Sequence, residues 1–169
     1  TLKSVKRGGG YTERGLKSFE GKYKENQIIC EGDIIIAKTD LTQDAEVIGK
    51  PALIRNSKEF NLLIASLDLV IVRTKNNYIP KSYLYNLFLR DEFQNHVYGY
   101  TSGTTVLHLA KDGIPNYQII LPPKKILEKF DESISIMMQK NHENNYQINN
   151  LTKIRDVLLP KLISGEIKV

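Results

Sequence analysis

The chain has 169 residues, with 24 Lys and Arg against 19 Asp and Glu, for a net charge of +5 and a hydrophobic fraction of 41%. That length buries a substantial core, as one domain or as a compact domain with an attached helical element, and the modest basic excess permits nucleic-acid binding without demonstrating it. No uninterrupted apolar run approaches a membrane span and the first residues lack the apolar core of a signal peptide, so the cytoplasm is the expected location.

The opening stretch is the most basic part of the chain. Through residue 25, Lys3, Lys6, Arg7, Arg14, Lys17, Lys22 and Lys24 face only Glu13, Glu20 and Glu25. The chain begins with Thr1 rather than Met inside this charged loop, so it is expected to be part of a longer protein. Gly8-Gly9-Gly10 makes the loop conformationally permissive. Cys30, the single cysteine, can form no internal disulfide and is expected as a small buried hydrophobe in a reducing compartment. Gly32-Asp33 marks a turn before the strand-like Ile34 to Ala37. After the polar Asp40 to Glu46, Gly49-Lys50-Pro51 leads into Ala52-Leu53-Ile54. Leu67 to Val72 reads as a buried strand interrupted by Asp68. Pro80 favours a helix start, and Ser82 to Phe93 carries Tyr83, Leu84, Leu87 and Phe88 at helical spacing. Thr101-Ser102-Gly103-Thr104-Thr105 follows. Lys111-Asp112-Gly113 gives another turn, and Ile114 to Leu121 reads as a last strand closed by Pro122-Pro123.

From Lys124 to Leu159 there is neither Gly nor Pro. Leu127, Phe130, Ile134, Met137, Ile148, Leu151 and Leu158 mostly follow alternating three- and four-residue steps, with Asn141 and Asn144 on the same stripe. The pattern predicts a long helix against another long helix, from a missing part of the chain or from a second copy. Fully helical, the span reaches roughly 50 Å at 1.5 Å per residue, too long to bury its stripe on a small domain alone. Pro160 is expected to end or kink it, and Gly165 to supply a final stop. The fold class is therefore α+β: a strand-rich domain with packed helices over residues 1–123, followed by one long coiled-coil-like C-terminal helix over 124–169.

Chemistry finds little support in the residues. Nucleophilic attack by Ser102 needs a base and an orienting third group; His108, His96 and His142 exist, but no nucleophile elbow surrounds the serine. The three histidines and Cys30 lack the close ligand spacings of a structural zinc site. Ser102 to Thr105 offer hydroxyls and backbone N–H groups that suit a phosphate, yet a full nucleotide-binding loop is absent. Glu20-Gly21-Lys22 and Glu166-Ile167-Lys168 match a nuclease tripeptide without an upstream acid. Asn76-Asn77-Tyr78-Ile79-Pro80 has the letters of a methyltransferase base pocket in an unsuitable order. No catalytic centre, metal or cofactor is expected.

Four stretches together carry a family resemblance: Gly32 to Asp40 (GDIIIAKTD), Thr101 to Leu109 (TSGTTVLHL), Ile114 to Pro123 (IPNYQIILPP) and Ile154 to Ile167, which includes LLPKLISGEI. In this order and spacing the chain resembles one half of the DNA-specificity subunit of type I restriction-modification enzymes. The resemblance implies a target-recognition domain (1–123) and a helical spacer (124–169) that pairs, sets the distance between half-sites and docks methylation subunits. It further implies double-stranded DNA as ligand, and restriction subunits that supply ATP-driven translocation and cleavage. The specificity subunit itself is an addressing module without cofactor or membrane attachment. The chain would then be a half-subunit that forms a homodimer or pairs with another half, or the C-terminal half of a larger subunit.

On that reading the favoured DNA contacts are Lys6, Arg7, Tyr11, Arg14 and Lys22 in the basic opening, for which a solvated surface loop is the plain alternative. Lys38, Thr39 and Asp40 end a strand and are placed at the reading face; a charged strand exit explains them equally. Arg55 and Lys58 are further candidates. Thr104 and Thr105 are candidate phosphate contacts within a segment that is scaffold first. Phe130, Ile134, Met137, Ile148 and Leu151 are expected to pack against a partner helix, or else on the chain's own first domain. Leu158 joins this helix-pairing set, and with Leu162 is expected to anchor the spacer's end. Arg155 and Asp156 suit the face offered to a methylation subunit or a surface ion pair. The alternative function is an adapter that dimerises through its helix without reading DNA.

Overall fold

In the computed structural model, which describes residues 1–41, 44–57, 59–75 and 78–167, a run of short strands, two short helices and a further strand pair precede one long helix. The expectations placed on Lys58, Asn76, Asn77 and Lys168 lie outside the described residues. In chain order the elements are β1 (Ile28–Ile29), β2 (Ile34–Ala37), β3 (Thr39–Asp40), β4 (Pro51–Leu53), β5 (Leu63–Ile64), β6 (Leu69–Val72), α1 (Lys81–Phe88), α2 (Asp91–Tyr98), β7 (Thr101–Ser102), β8 (Leu107–Leu109) and α3 (Lys124–Ile163). The strands form three antiparallel sheets, ordered β1-β5, β4-β2-β6 and β3-β8-β7. The chain divides into two compact units, Thr1–Leu127 and Glu128–Val169.

Strand β2 explains the architecture of the first unit. All four of its residues are buried, and successive side chains point to opposite faces. Ile35 and Ala37 enter one core with Val5, Ile29, Ala52 and Ile54; Ile34 and Ile36 enter another with Leu84, Phe88, Phe93 and Val97. An unbroken Ile-Ile-Ile-Ala run is what a strand covered on both faces requires, because neither face meets water. Its neighbour β6 is shorter than the expected 67–72 strand. Leu67 is exposed, and Asp68 accepts the Thr39 hydroxyl at 3.2 Å and the Lys38 amide through its carbonyl at 2.8 Å.

The single helix expected over 82–93 is two helices. Arg90 adopts an extended backbone, φ −73° and ψ 148°, and its guanidinium bonds Glu92 in the first turn of α2. Gln94 fills the break, donating to the carbonyls of Phe88 at 2.7 Å and Gly49 at 3.0 Å. The bend brings Phe88 and Phe93 together with ring centroids 4.5 Å apart, so both aromatics reach one core.

The expected last strand, Ile114 to Leu121, forms no ladder. Its alternation survives, with Tyr117 and Ile119 packed on the second core and Ile120 exposed. Its Ile120 carbonyl accepts the Tyr83 hydroxyl at 2.5 Å, its Ile114 carbonyl accepts the Tyr117 amide in a local turn at 3.1 Å, and just beyond it Tyr78 donates to Pro122 at 3.3 Å. Cys30 is exposed rather than buried, because it opens the tight Cys30–Asp33 turn.

TSGTTVLHL is a β-hairpin, with Thr101 opposite Leu109 and Ser102 opposite His108. Gly103 has φ +122°, and a Cβ there would collide with the Val106 carbonyl, so the turn admits only glycine without rearrangement. Leu107 and Leu109 pack into the second core, while Val106 is half-buried.

Helix α3 spans 40 residues, about 60 Å at the α-helical rise. It continues one turn beyond Pro160, so the expected stop falls instead at Gly165, φ +74°, whose N–H bonds the Leu162 carbonyl. No helix among the described residues is long and apolar enough to cross a membrane.

Candidate nucleic-acid interface

The basic opening is built around a hydrogen-bonded hairpin. Val5 bridges Tyr11, the Lys6 N–H bonds the Gly10 carbonyl at 2.9 Å, and the Gly9 N–H bonds the Lys6 carbonyl at 2.9 Å. The Gly10 N–H ties the loop to β4 through the Pro51 carbonyl at 2.8 Å. Gly9 has φ +97°, and a side chain there would meet Leu89 Cδ2 at 2.5 Å, so the missing Cβ lets the hairpin seat against the end of α1. Lys6 and Arg7 are thereby exposed on an ordered loop, and Arg7 pairs with Glu46 at 3.0 Å.

The same face includes α1. A Cβ on Gly10 would lie 3.9 Å from the Tyr85 hydroxyl. Burial pushes that hydroxyl's pKa up, and the nearby Arg55 pulls against the shift. Arg55 also stands 3.9 Å from Glu31. Lys6 Cδ would lie 3.6 Å from the same Gly10 Cβ, so Lys6 and Arg55, far apart in sequence, both lie near Tyr85.

One helical turn before Tyr85 lies Lys81, part of a cluster the sequence did not disclose. Asp33, 6% exposed, accepts the Cys30 N–H at 3.1 Å and the Arg73 Nε and Nη2 at 3.2 and 2.6 Å, all through Oδ2. Lys81 Nζ stands 3.6 Å from Oδ1. Arg73 Nη2 also donates to the Ile28 carbonyl at 2.6 Å. Burial alone would raise the Asp33 pKa. The Arg73 hydrogen bond, the Cys30 amide and the charges of Arg73 and Lys81 outweigh it and hold the carboxyl below its ordinary range. The partners lie 40 and 48 residues from Asp33, at no spacing that periodicity detects. Arg73 further lines a cavity of about 600 Å³ with Lys38, Lys111, Phe88 and Tyr117.

The remaining candidates scatter in environment. Arg14 and Lys22 are exposed; Thr12 accepts the Arg14 amide at 3.4 Å and so fixes its turn. Tyr11 is half-buried, and its hydroxyl has no hydrogen-bond partner among the described residues. Burial, reinforced by Glu13, pushes that hydroxyl up to about 12. Thr39 and Asp40 are buried: Asp40 Oδ2 accepts the N–H groups of Val47 at 2.7 Å and Ile48 at 3.0 Å. Both brace the fold from inside, while Lys38 beside them reaches the cavity. Thr104 and Thr105 are exposed at the hairpin tip.

On α3, Met137, Ile148, Leu151 and Leu158 are exposed, and Phe130 and Ile134 are half-buried. Asn145 bonds the side chain and carbonyl of Asn141 at 2.6 and 2.7 Å, a local polar clamp in the middle of the stripe. Arg155 pairs with Asp156 at 2.6 Å.

Register places Ser102 directly across from His108, but both are exposed and no side-chain hydrogen bond joins them among the described residues. His96 instead bonds the Gly113 carbonyl at 2.8 Å and stacks near Tyr100 and Tyr117, a packing role. Among the described residues no group of three His, Cys, Asp or Glu could hold a metal ion.

No protein-family model matches the chain. Over 89 residues, 53% of the chain, it is 42% identical to the Type I restriction enzyme MjaIX specificity subunit of Methanocaldococcus jannaschii. Over 67 residues, 40% of the chain, it is 36% identical to the Type I restriction enzyme HindI specificity subunit of Haemophilus influenzae. These matches span 20% and 15% of the relatives' own lengths. The chain is thus homologous to type I specificity subunits over about half its length.

Proposed function

We propose that this chain is the DNA-specificity component of a type I restriction-modification complex, non-catalytic itself, which directs adenine methylation and ATP-dependent cleavage by partner subunits. The homology to two specificity subunits carries the reading. The architecture supports it: a strand-rich unit with an ordered basic hairpin, followed by a 40-residue helix bearing exposed apolar side chains. Residues 1–123 read DNA through Lys6, Arg7, Arg14, Lys22, Lys38 and Arg55, with Thr104 and Thr105 near a phosphate. Tyr11, Thr39 and Asp40 shape the surface from within. Residues 124–169 pair through Phe130, Ile134, Met137, Ile148, Leu151 and Leu158 with a second copy or another half-subunit, and dock methylation subunits.

The deciding experiment co-expresses the chain with its cognate methylation subunit and maps adenine methylation on genomic DNA. A split motif is expected; a symmetric one indicates paired identical halves, an asymmetric one a different second half. A complex that forms yet methylates nothing, with DNA binding uniform across sequences, replaces this reading with an adapter joined through α3.

A further inference from the structure

The geometry points to Arg73 and Lys81 as a DNA phosphate anchor, held in place by Asp33 as a positioning residue. The inference rests on the DNA-recognition reading and deepens it by naming two contacts and the chemistry they meet, a phosphodiester oxygen.

The donor inventory carries the argument. A guanidinium has five N–H groups. In Arg73 the Nε donor and both Nη2 donors are consumed by Asp33 and the Ile28 carbonyl. The two donors on Nη1 meet no acceptor among the described residues. Lys81 Nζ contacts Asp33 by charge at 3.6 Å and donates no hydrogen bond among the described residues. Two cations thus surround a single carboxylate, leaving a local charge of +1, while the side chains of Arg73 and Lys81 are 47% and 55% exposed.

A purely structural ion pair needs one cation for one buried carboxylate. Here the second cation and the spare guanidinium edge are left facing acceptors outside the cluster. The fork on Asp33 and Ile28 also removes the rotamer freedom an exposed Arg would otherwise lose on binding, so the group is preorganised for an anion. Lys81 lies one turn before Tyr85, whose hydroxyl feels the Arg55 charge, and Arg73 shares the cavity with Lys38. The anchor thus borders both the start of α1 and the cavity.

The test uses the complex of the full chain with its methylation subunit, and titrates binding to a random-sequence duplex between about 50 and 200 mM salt. Each lost phosphate contact lowers the slope of log affinity against log salt by about 1, equally for all sequences. Arg73→Gln and Lys81→Gln are each expected to lower the slope by about 1, and the double variant by about 2. Arg73→Lys restores the slope, since it keeps the charge, but not the full affinity, since it loses the fork. Asp33→Asn, which leaves both cations unheld, retains the slope and weakens binding. Melting profiles of the same variants read folding separately, and Lys81→Gln, at the exposed start of α1, tests the idea if an Asp33 or Arg73 variant fails to fold. If the wild-type complex binds DNA while every folded variant keeps its slope, the anchor is overturned and the DNA reading stands. A wild-type complex that binds no duplex overturns both.

Discussion

Asp40 Oδ2 accepts the backbone N–H of Ile48 at 3.0 Å, wholly inside the fold, and the same oxygen takes Val47 at 2.7 Å. This carboxylate closes the loop between β3 and β4, much as a cap satisfies the orphan donors of a helix end. Removing it strands two amides in a region closed to water. Asp40→Ala is expected to cost about 3 kcal/mol, and Asp40→Asn, which keeps one acceptor, about 1 kcal/mol. Urea unfolding checks this: the midpoint falls while the m-value holds.

Asp33 makes stability depend on acid. Its folded pKa is depressed, so the folded state binds its proton less readily than the unfolded chain. Its contribution is full above the ordinary carboxylate range and is lost as pH falls through the depressed value. Denaturation curves from pH 7 down to about pH 2 should show this acid limb, and Asp33→Asn should flatten it. An unchanged limb in a folded Asn variant refutes the assignment.

Tyr11 has the opposite sign. Its hydroxyl is pushed up to about 12, so stability is full below about 10 and falls as pH rises between the two. Because that hydroxyl is buried without a partner among the described residues, Tyr11→Phe should be neutral to about 1 kcal/mol stabilising at neutral pH. The alkaline loss should shrink in the same variant. DNA affinity that drops on Tyr11→Phe, with folding unchanged, would mean the hydroxyl turns outward to the duplex.

Gly103 should tolerate no side chain. With φ +122° and the Val106 carbonyl occupying the space a Cβ would need, Gly103→Ala is expected to destabilise by about 2 kcal/mol. Thr104→Ala, at the exposed tip of the same turn, should change stability by less than about 0.5 kcal/mol. Thermal melts of the two variants separate the backbone requirement from the side chains.

Some of this molecule is written in short-range pattern. The apolar run at β2, the glycine-bearing turns and the long Gly- and Pro-free stretch of α3 depend on local periodicity and on backbone sterics, which neighbouring residues alone settle. The break at Arg90 is less visible, because Tyr83, Leu84, Leu87, Phe88 and Phe93 suit one helical face as well as two; packing Phe88 against Phe93 chooses the bend. Likewise the alternation at 114–121 is genuine, but whether it joins a ladder depends on which partners its backbone meets, and here the Ile120 carbonyl meets the Tyr83 hydroxyl and the Ile114 carbonyl a local turn.

By itself, then, the sequence determined the α+β class, the long helix and the basic character of the opening loop, while the strand pairing that makes TSGTTVLHL a hairpin belongs to the tertiary structure. Only the tertiary structure decided which charges face water. Thr39 and Asp40 end a strand that reads as emergent, yet both turn inward: Asp40 accepts the amides 7 and 8 residues on, and the Thr39 hydroxyl donates to Asp68. Arg73 and Lys81 gained their place because a buried carboxylate far upstream in the chain must be neutralised where it lies. Burial and long-range pairing have no period, so the residues that shape this surface become visible only once the chain has closed on itself.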